Sequence, residues 1–113
     1  MNRVLSAALL LSSIFLGVAC KSDEHPTGSE VVDRSAPAIC DKQKECQGAL
    51  FELAYPGGVG ECVTKTSASV KAQGKDLSAE SVCTDEELTK CIDDLKAAAC
   101  KEDGSMPDVP CRC

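Results

Sequence analysis

Three stretches of this chain carry apolar residues at steps of three and four, which is the period of an amphipathic helix. The first stretch follows Ser35, a suitable N-cap, and has Pro37 in its first turn, where a missing N–H costs nothing. Gly48 weakens the middle of this stretch, so that a helix can end there and resume. The stripe has one polar break and consists of Ile39, Gln43, Cys46, Leu50 and Leu53.

Two further helices are predicted after the turn at residues 55–58, whose sequence is Tyr-Pro-Gly-Gly. One of them ends near Gly74, and its stripe consists of Val59, Cys62, Val63, Thr66 and Val70. The other opens with a capping box between Thr84 and Glu87 and ends near Lys101. Its apolar face consists of Leu88, Cys91, Ile92, Leu95 and Ala99. Strand patterns are almost absent, so the sequence predicts a small all-α fold of about three helices.

Residues 1–19 have the pattern of a cleaved signal peptide. Arg3 supplies a positive start, and residues 4–18 are mostly apolar, interrupted by three serines. This run of fifteen residues is shorter than the ~20 that a membrane-spanning helix needs. The small residues Gly17 and Ala19 then precede Cys20, so we expect cleavage after Ala19.

Residues 20–35 are predicted to be the mature N-terminus and a flexible tether, and residues 36–113 the helical domain. The tether sequence is polar and charged, and Pro26 and Gly28 interrupt it. His25, the only histidine of the chain, lies in this tether. Because no second imidazole accompanies it, a metal site at His25 is not expected.

Nine cysteines in 113 residues indicate a disulfide scaffold. A domain of about 80 residues buries little apolar surface, so disulfide bonds would supply stability that its core lacks. Phe51 and Tyr55 are the only aromatic residues after the signal peptide. With Cys20 set apart at the mature N-terminus, eight cysteines remain that can close into four bridges of unknown pairing. They are Cys40, Cys46, Cys62, Cys83, Cys91, Cys100, Cys111 and Cys113.

Helix geometry argues against three of the pairings. On intact helices Cys40 and Cys46 would lie about 9 Å apart along the axis, and Cys91 and Cys100 about 13.5 Å. A disulfide usually joins Cα atoms that are ~4.4–6.8 Å apart. We do not expect the two cysteines of the C-terminal Cys-x-Cys to pair with each other, because their ring would be strained.

Among the remaining pairings, we expect the two cysteines of the first helix to bond to Cys62, Cys83 or Cys91. We expect the tail pair to bond to Cys100 and to one other segment. Each helix would then be joined to other parts of the chain.

Residues 15–20, Phe-Leu-Gly-Val-Ala-Cys, resemble the lipobox of bacterial lipoproteins. Ala19 stands at −1 and Val18 at −2 before the invariant cysteine, whereas Gly17 occupies −3, where that family usually has Leu. Residues 17–19 also fit the rule for an ordinary signal peptidase. The resemblance implies that Cys20 carries a diacylglyceryl thioether and usually an acylated amine, with palmitate-type chains. Cysteine parity favours this reading, because Cys20 is the odd cysteine.

The resemblance implies a membrane-anchored protein of the bacterial cell envelope with a non-enzymatic binding or structural role. Lys21 at +2 is not the aspartate that retains lipoproteins at the inner membrane in enteric-type sorting, which favours the outer membrane. The formal charge is −6, so nucleic acid is not expected as a partner. The expected partners are the membrane, reached through the lipid on Cys20, and an unknown protein.

The motifs predict neither a catalytic site nor a cofactor, and we do not expect an enzyme. Two alternatives to the lipoprotein stay open. One is a soluble, secreted, disulfide-rich module, such as an inhibitor or a toxin-like protein. The other is a protein that binds metal through thiolates, for which Cys111-x-Cys113 is the candidate chelate. Binding of a small hydrophobic ligand between the helices would require a cavity.

Overall fold

The computed structural model describes residues 24–108 and residue 113. In these residues the chain forms four helices and no strand: α1 at Gly28–Gln47, α2 at Ala49–Ala54, α3 at Val59–Ala72 and α4 at Asp85–Ala97. The predicted all-α, disulfide-stapled fold is confirmed. The expected signal peptide, Cys20 and Cys111 lie outside the described residues.

Helix α1 begins at Gly28, so its predicted start at Ser35 and the flexible character of residues 28–35 are wrong. A capping box is responsible: the Thr27 hydroxyl accepts the N–H of Glu30 at 3.3 Å, and the Glu30 carboxylate accepts the N–H of Thr27 at 2.7 Å. Pro37 therefore lies inside the helix rather than in its first turn. The Thr-x-x-Glu pattern was visible in the sequence, but the charged, proline-containing context favoured a tether.

The segment before α1 is also part of the fold. The N–H of Ser81 donates to the Pro26 carbonyl at 2.8 Å, and the N–H of Asp85 donates to the Glu24 carbonyl at 2.9 Å. Pro26 is buried. A single antiparallel bridge joins Thr27 to Glu80. The ordered domain therefore includes Glu24, and the predicted boundary at residue 36 is too late.

Gly48 ends α1 as predicted, and α2 follows immediately. Its φ of 51° lies in the region that L-residues avoid. The change of direction at this glycine rotates the next helix, so that α2 buries Phe51 completely. Leu50 and Leu53 are 68% and 78% exposed, and their predicted place on the buried stripe is therefore wrong.

Helix α1 is the centre of the fold and packs against α2, α3 and α4. The core between α1, α2 and α3 is built on Phe51 and on the two half-cystines Cys40 and Cys62, all fully buried. The Tyr55 ring packs on Phe51 with 5.0 Å between the ring centroids. A disulfide at the centre of the core thus supplies contact that a chain with few aromatic residues otherwise lacks.

Three disulfides with both ends in the described residues join segments that are distant in sequence. Their Cα–Cα distances are 5.9 Å, 5.4 Å and 5.1 Å, in the order Cys40–Cys62, Cys46–Cys100 and Cys83–Cys113. They connect α1 to α3, the end of α1 to the segment after α4, and the loop before α4 to the C-terminus. None of the three pairings that geometry argued against is formed.

The expected partners were right for Cys40 and wrong for Cys46, and for the tail the expected bond to Cys100 is wrong, whereas a bond to another segment is formed. Cys46 takes Cys100 as its partner, and Cys113 bonds to Cys83 in the loop before α4. The reason is that α4 ends at Ala97, one turn before its predicted end. Cys100 is then free of the helix, and the chain after α4 folds back onto the C-terminal end of α1.

Candidate functional site

Lys42 fixes α4 against α1 through a buried charge. Its side chain is only 4% exposed. The ammonium donates to the carbonyl oxygens of Lys96 at 3.0 Å and Ala98 at 2.8 Å, and to the Glu45 carboxylate at 2.7 Å. These carbonyls are at the C-terminal end of α4, where the helix dipole favours a cation. All three protons of the ammonium have acceptors, so we assign Lys42 a structural role.

Lys42 and Arg34 also show how α1 and α4 are aligned. The Arg34 guanidinium pairs with the Asp85 carboxylate and donates to the Thr89 hydroxyl at 2.7 Å, at the start of α4. Lys42, two turns further along α1, reaches the end of α4. The two helices therefore run side by side in the same direction. Nothing in the sequence pattern indicated this pairing.

An apolar groove of about 400 Å³ lies along the seam between α1 and α4. Its volume falls within the roughly 300–1,000 Å³ that is typical of small-molecule sites. None of its described lining side chains is charged, and among them only Ser35 has a hydroxyl. The apolar side chains come from both helices and from the segment after α4: Val31, Ile39, Leu88, Ile92, Leu95, Met106 and Pro107. Such a surface matches an uncharged, aliphatic ligand.

A polar cleft of about 390 Å³ lies at the N-terminal end of the same helix pair. Its acids include Glu24, Glu30 and Glu80, and the Arg34–Asp85 pair lies among them. This cleft has the opposite character to the groove, because ionised groups line it. The acidic groups close to Arg34 are better explained by the caps of α1 and α4 than by catalysis.

His25 lies in this cleft, half-buried and hydrogen-bonded, and not in a solvated tether. Its Nδ1 is 3.0 Å from the Ser81 carbonyl oxygen. Since a carbonyl only accepts, Nδ1 carries a proton and donates. Within residues 24–108 and 113, no three histidine, cysteine, aspartate or glutamate residues are grouped so that they could hold a metal ion.

All seven cysteines in the described part of the chain are disulfide-bonded, Cys91 included. Cys113 bonds to Cys83, so it does not offer a thiolate to the candidate chelate at the C-terminus. The seven described cysteines are therefore half-cystines, whereas the eighth predicted one, Cys111, lies outside the described residues. Cys20, the predicted lipidation site, lies outside the described residues.

In the part of the chain that the structure describes, three large apolar side chains are exposed, and they lie beyond opposite ends of α1. Leu50 and Leu53 lie on α2, beyond the C-terminal end of α1. Val82 is 77% exposed and lies in the loop that contacts the chain before α1. A helix of twenty residues is about 30 Å long, which is the approximate separation of the two ends.

No helix in the described residues has the length and apolar character required to cross a membrane.

These features define the class of the protein: a small helical domain held by disulfides, with an aliphatic groove and no metal cluster in its described residues. Comparison with protein-family models, with curated proteins and with solved structures found no match. The assignment of a function therefore rests on the residues of this chain.

Proposed function

We propose that the protein is a lipoprotein of the bacterial cell envelope, acylated on Cys20, with a non-enzymatic binding or structural domain. The observation that carries this proposal is the oxidation of every cysteine in the described residues. Disulfides of this density persist outside the reducing cytosol, in agreement with the export signal at residues 1–19. Lys21 after the modified cysteine favours the outer membrane.

Cysteine parity supports acylation. The chain has nine cysteines, so at least one of them has no partner within the same chain. Cys20 is the one that follows a signal peptide and a lipobox-like sequence. Two or three acyl chains hold a protein stably at a membrane, at about 0.8 kcal/mol per buried CH₂, whereas one chain gives only reversible binding.

Intact-mass analysis of the mature protein tests acylation. We expect a mature chain that begins at Cys20 and carries a diacylglyceryl group, and peptide mapping should place the added mass on the Cys20 peptide. A Cys20→Ser variant should lose that mass and leave the membrane fraction. A mature chain cut after Ala19 without added mass would show the soluble, secreted alternative instead.

Counting free thiols tests the thiolate alternative. We expect no more than one free thiol in the purified native domain, because the described cysteines are oxidised. Eight free thiols together with bound metal would show a thiolate metal-binding protein. The same sample, denatured without reductant, provides the count for buried thiols.

The groove between α1 and α4 supports a second candidate function, binding of a small aliphatic ligand, within the binding role. Its described lining side chains offer no charge to pair with a headgroup, so an uncharged aliphatic molecule is the best match. A long-chain alcohol serves as the probe in a calorimetric titration. Ile92→Gln, which places an amide in the groove, should weaken binding at least tenfold. Leu53→Gln, on the exposed face of α2, should leave binding unchanged; equal weakening by both changes would exclude the groove.

A further inference from the structure

The ordered domain begins very close to the residue that is proposed to carry the lipid. Glu24 is already fixed, since its carbonyl accepts the N–H of Asp85 at 2.9 Å. Cys20 precedes Glu24 by four residues, which span at most about 14 Å even when fully extended. The long tether expected from the sequence would have allowed the domain to lie at any angle. A connection of three residues, 21–23, restricts it to the neighbourhood of the bilayer.

The surface beside this attachment point is held rigidly and carries an exposed apolar side chain. The N–H of Ser81 donates to the Pro26 carbonyl at 2.8 Å, and His25 donates to the Ser81 carbonyl at 3.0 Å. Val82 follows directly and is 77% exposed. Next to it, Cys83 is bonded to Cys113. The loop that presents Val82 is therefore joined on both sides to fixed parts of the fold.

We propose that residues 24–26 and 80–85, here named the anchor edge, rest on the lipid bilayer with Val82 inserted at the interface. This inference depends on the proposed acylation of Cys20. Because the connection is short, the bilayer that holds the lipid on Cys20 lies next to this surface. The chain itself holds no other partner there. Leu50 and Leu53, at the far end of α1, then point away from the membrane.

The charge of the anchor edge determines which lipid headgroups it can approach. Glu24, Glu80 and Asp85 lie on it, and Asp85 is paired with Arg34. An anionic headgroup layer would repel the unpaired carboxylates, whereas a zwitterionic layer would not. The anchor edge therefore matches a bilayer surface of zwitterionic phospholipid.

Tryptophan fluorescence tests this orientation, because the chain has no tryptophan of its own. Val82→Trp and Leu53→Trp place one indole at either end of α1, at sites of nearly equal exposure, 77% and 78%. The full-length acylated variants are reconstituted into phosphatidylethanolamine–phosphatidylcholine vesicles with brominated acyl chains. We expect several-fold stronger quenching and a blue-shifted emission for Val82→Trp. Equal quenching, or stronger quenching of Leu53→Trp, would overturn the inference.

Two further measurements distinguish failure of the lipoprotein proposal from failure of the docking proposal. Absence of added acyl mass together with absence of flotation with vesicles would overturn both the proposed lipoprotein and the docking of its anchor edge. Flotation with equal quenching would overturn the docking alone. A flexible Gly-Ser linker of about ten residues inserted after Asp23 provides a second variant, because it extends the reach of the connection. It should leave flotation intact and reduce the quenching of Val82→Trp toward the level of Leu53→Trp.

Discussion

At the scale of single residues, a few polar side chains determine how the helices fit together. The Lys42 ammonium is buried but fully hydrogen-bonded, and it caps the C-terminal end of a neighbouring helix. Glu61 holds the turn before α3, since its carboxylate accepts the N–H of Gly57 at 2.6 Å and pairs with Lys65 at 2.6 Å. Lys42 connects parts of the chain that hydrophobic periodicity alone would leave unrelated, whereas Glu61 joins α3 to the turn directly before it.

Replacing Lys42 by Met should lower the free energy of unfolding by about 2–3 kcal/mol, because hydrogen bonds to charged groups are worth roughly 1.5–3 kcal/mol. The loss arises from the Lys96 and Ala98 carbonyls, which would lack their donor. Urea unfolding followed by circular dichroism measures it. Lys44→Met, at an exposed position of the same helix, is the control and should change stability by less than about 0.5 kcal/mol. Equal losses in both variants would contradict the capping role.

The pKa of Glu61 is lowered from its ordinary value of 4.5, chiefly by the hydrogen bond from Lys65 and then by that from the Gly57 N–H. A lowered pKa in the folded state means that the stabilisation is complete above the unfolded pKa and is lost as the pH falls through the folded one. Glu61→Gln should therefore be less stable than the wild type at neutral pH. The difference should shrink below pH 4.5, as measured by urea unfolding across that range.

Asp76 and Asp103 have lowered pKa values for a similar reason, the hydrogen bonds from Ser78 and Ser105. Their contributions have the same sign and also disappear in acid. Glu52→Gln, at an exposed position of α2, is the control for the Glu61 experiment. A Glu61→Gln difference that does not change with pH would contradict a role for the Glu61 charge.

At the scale of the elements, glycines and capping boxes determine where the helices begin and end. Thr27 and Thr84 start α1 and α4 through the same reciprocal hydrogen bonds with a glutamate three residues later. Gly48 separates α1 from α2 through its positive φ. This break decides that Phe51, and not Leu50, enters the core.

Two glycine substitutions should change stability in opposite directions. Gly48→Ala places a side chain at φ 51° and should cost about 1–3 kcal/mol, the usual range for such backbone strain. Gly60→Ala lies within α3, where an added Cβ meets nothing within 4 Å, and should stabilise by about 0.5 kcal/mol. Thermal unfolding of the two variants measures the contrast. A stabilising Gly48→Ala would mean that this position does not need a glycine.

At the scale of the whole molecule, disulfides provide stability that a larger hydrophobic core would otherwise provide. The three bridges with both ends described close separations of 22, 54 and 30 residues, and α1 carries one end of two of them. In the chain-entropy description each bridge of this kind stabilises by about 2–4 kcal/mol, through restriction of the unfolded chain. One of these bridges, Cys83–Cys113, has one end in the anchor edge.

The bridges should differ in their resistance to reduction because they differ in exposure. Cys40 and Cys62 are fully buried, whereas Cys113 is exposed at the chain end. Thiol–disulfide exchange needs access to a sulfur, so Cys83–Cys113 should open first under a mild dithiol. Timed alkylation followed by peptide mapping gives the order. Earlier labelling of Cys40 or Cys62 would show that the core opens before the tail is released.

The features that the sequence alone determined are those with local physical causes. The periodicity of α3, the cap of α4 and the break at Gly48 depend on residues within a turn or two, so pattern reasoning found them. Helix rise likewise predicted that Cys40 would not pair with Cys46. The start of α1 was equally local, but the charged, proline-containing context of Thr27 obscured its capping box.

The tertiary structure decided everything that depends on which distant segments meet. The bond between Cys46 and Cys100, the burial of Lys42 and the groove between α1 and α4 all follow from the parallel packing of two helices far apart in sequence. The exposure of Val82 beside Glu24 has the same origin. Each such contact depends on packing summed over the whole chain, and no residue's own neighbours in sequence carry that information.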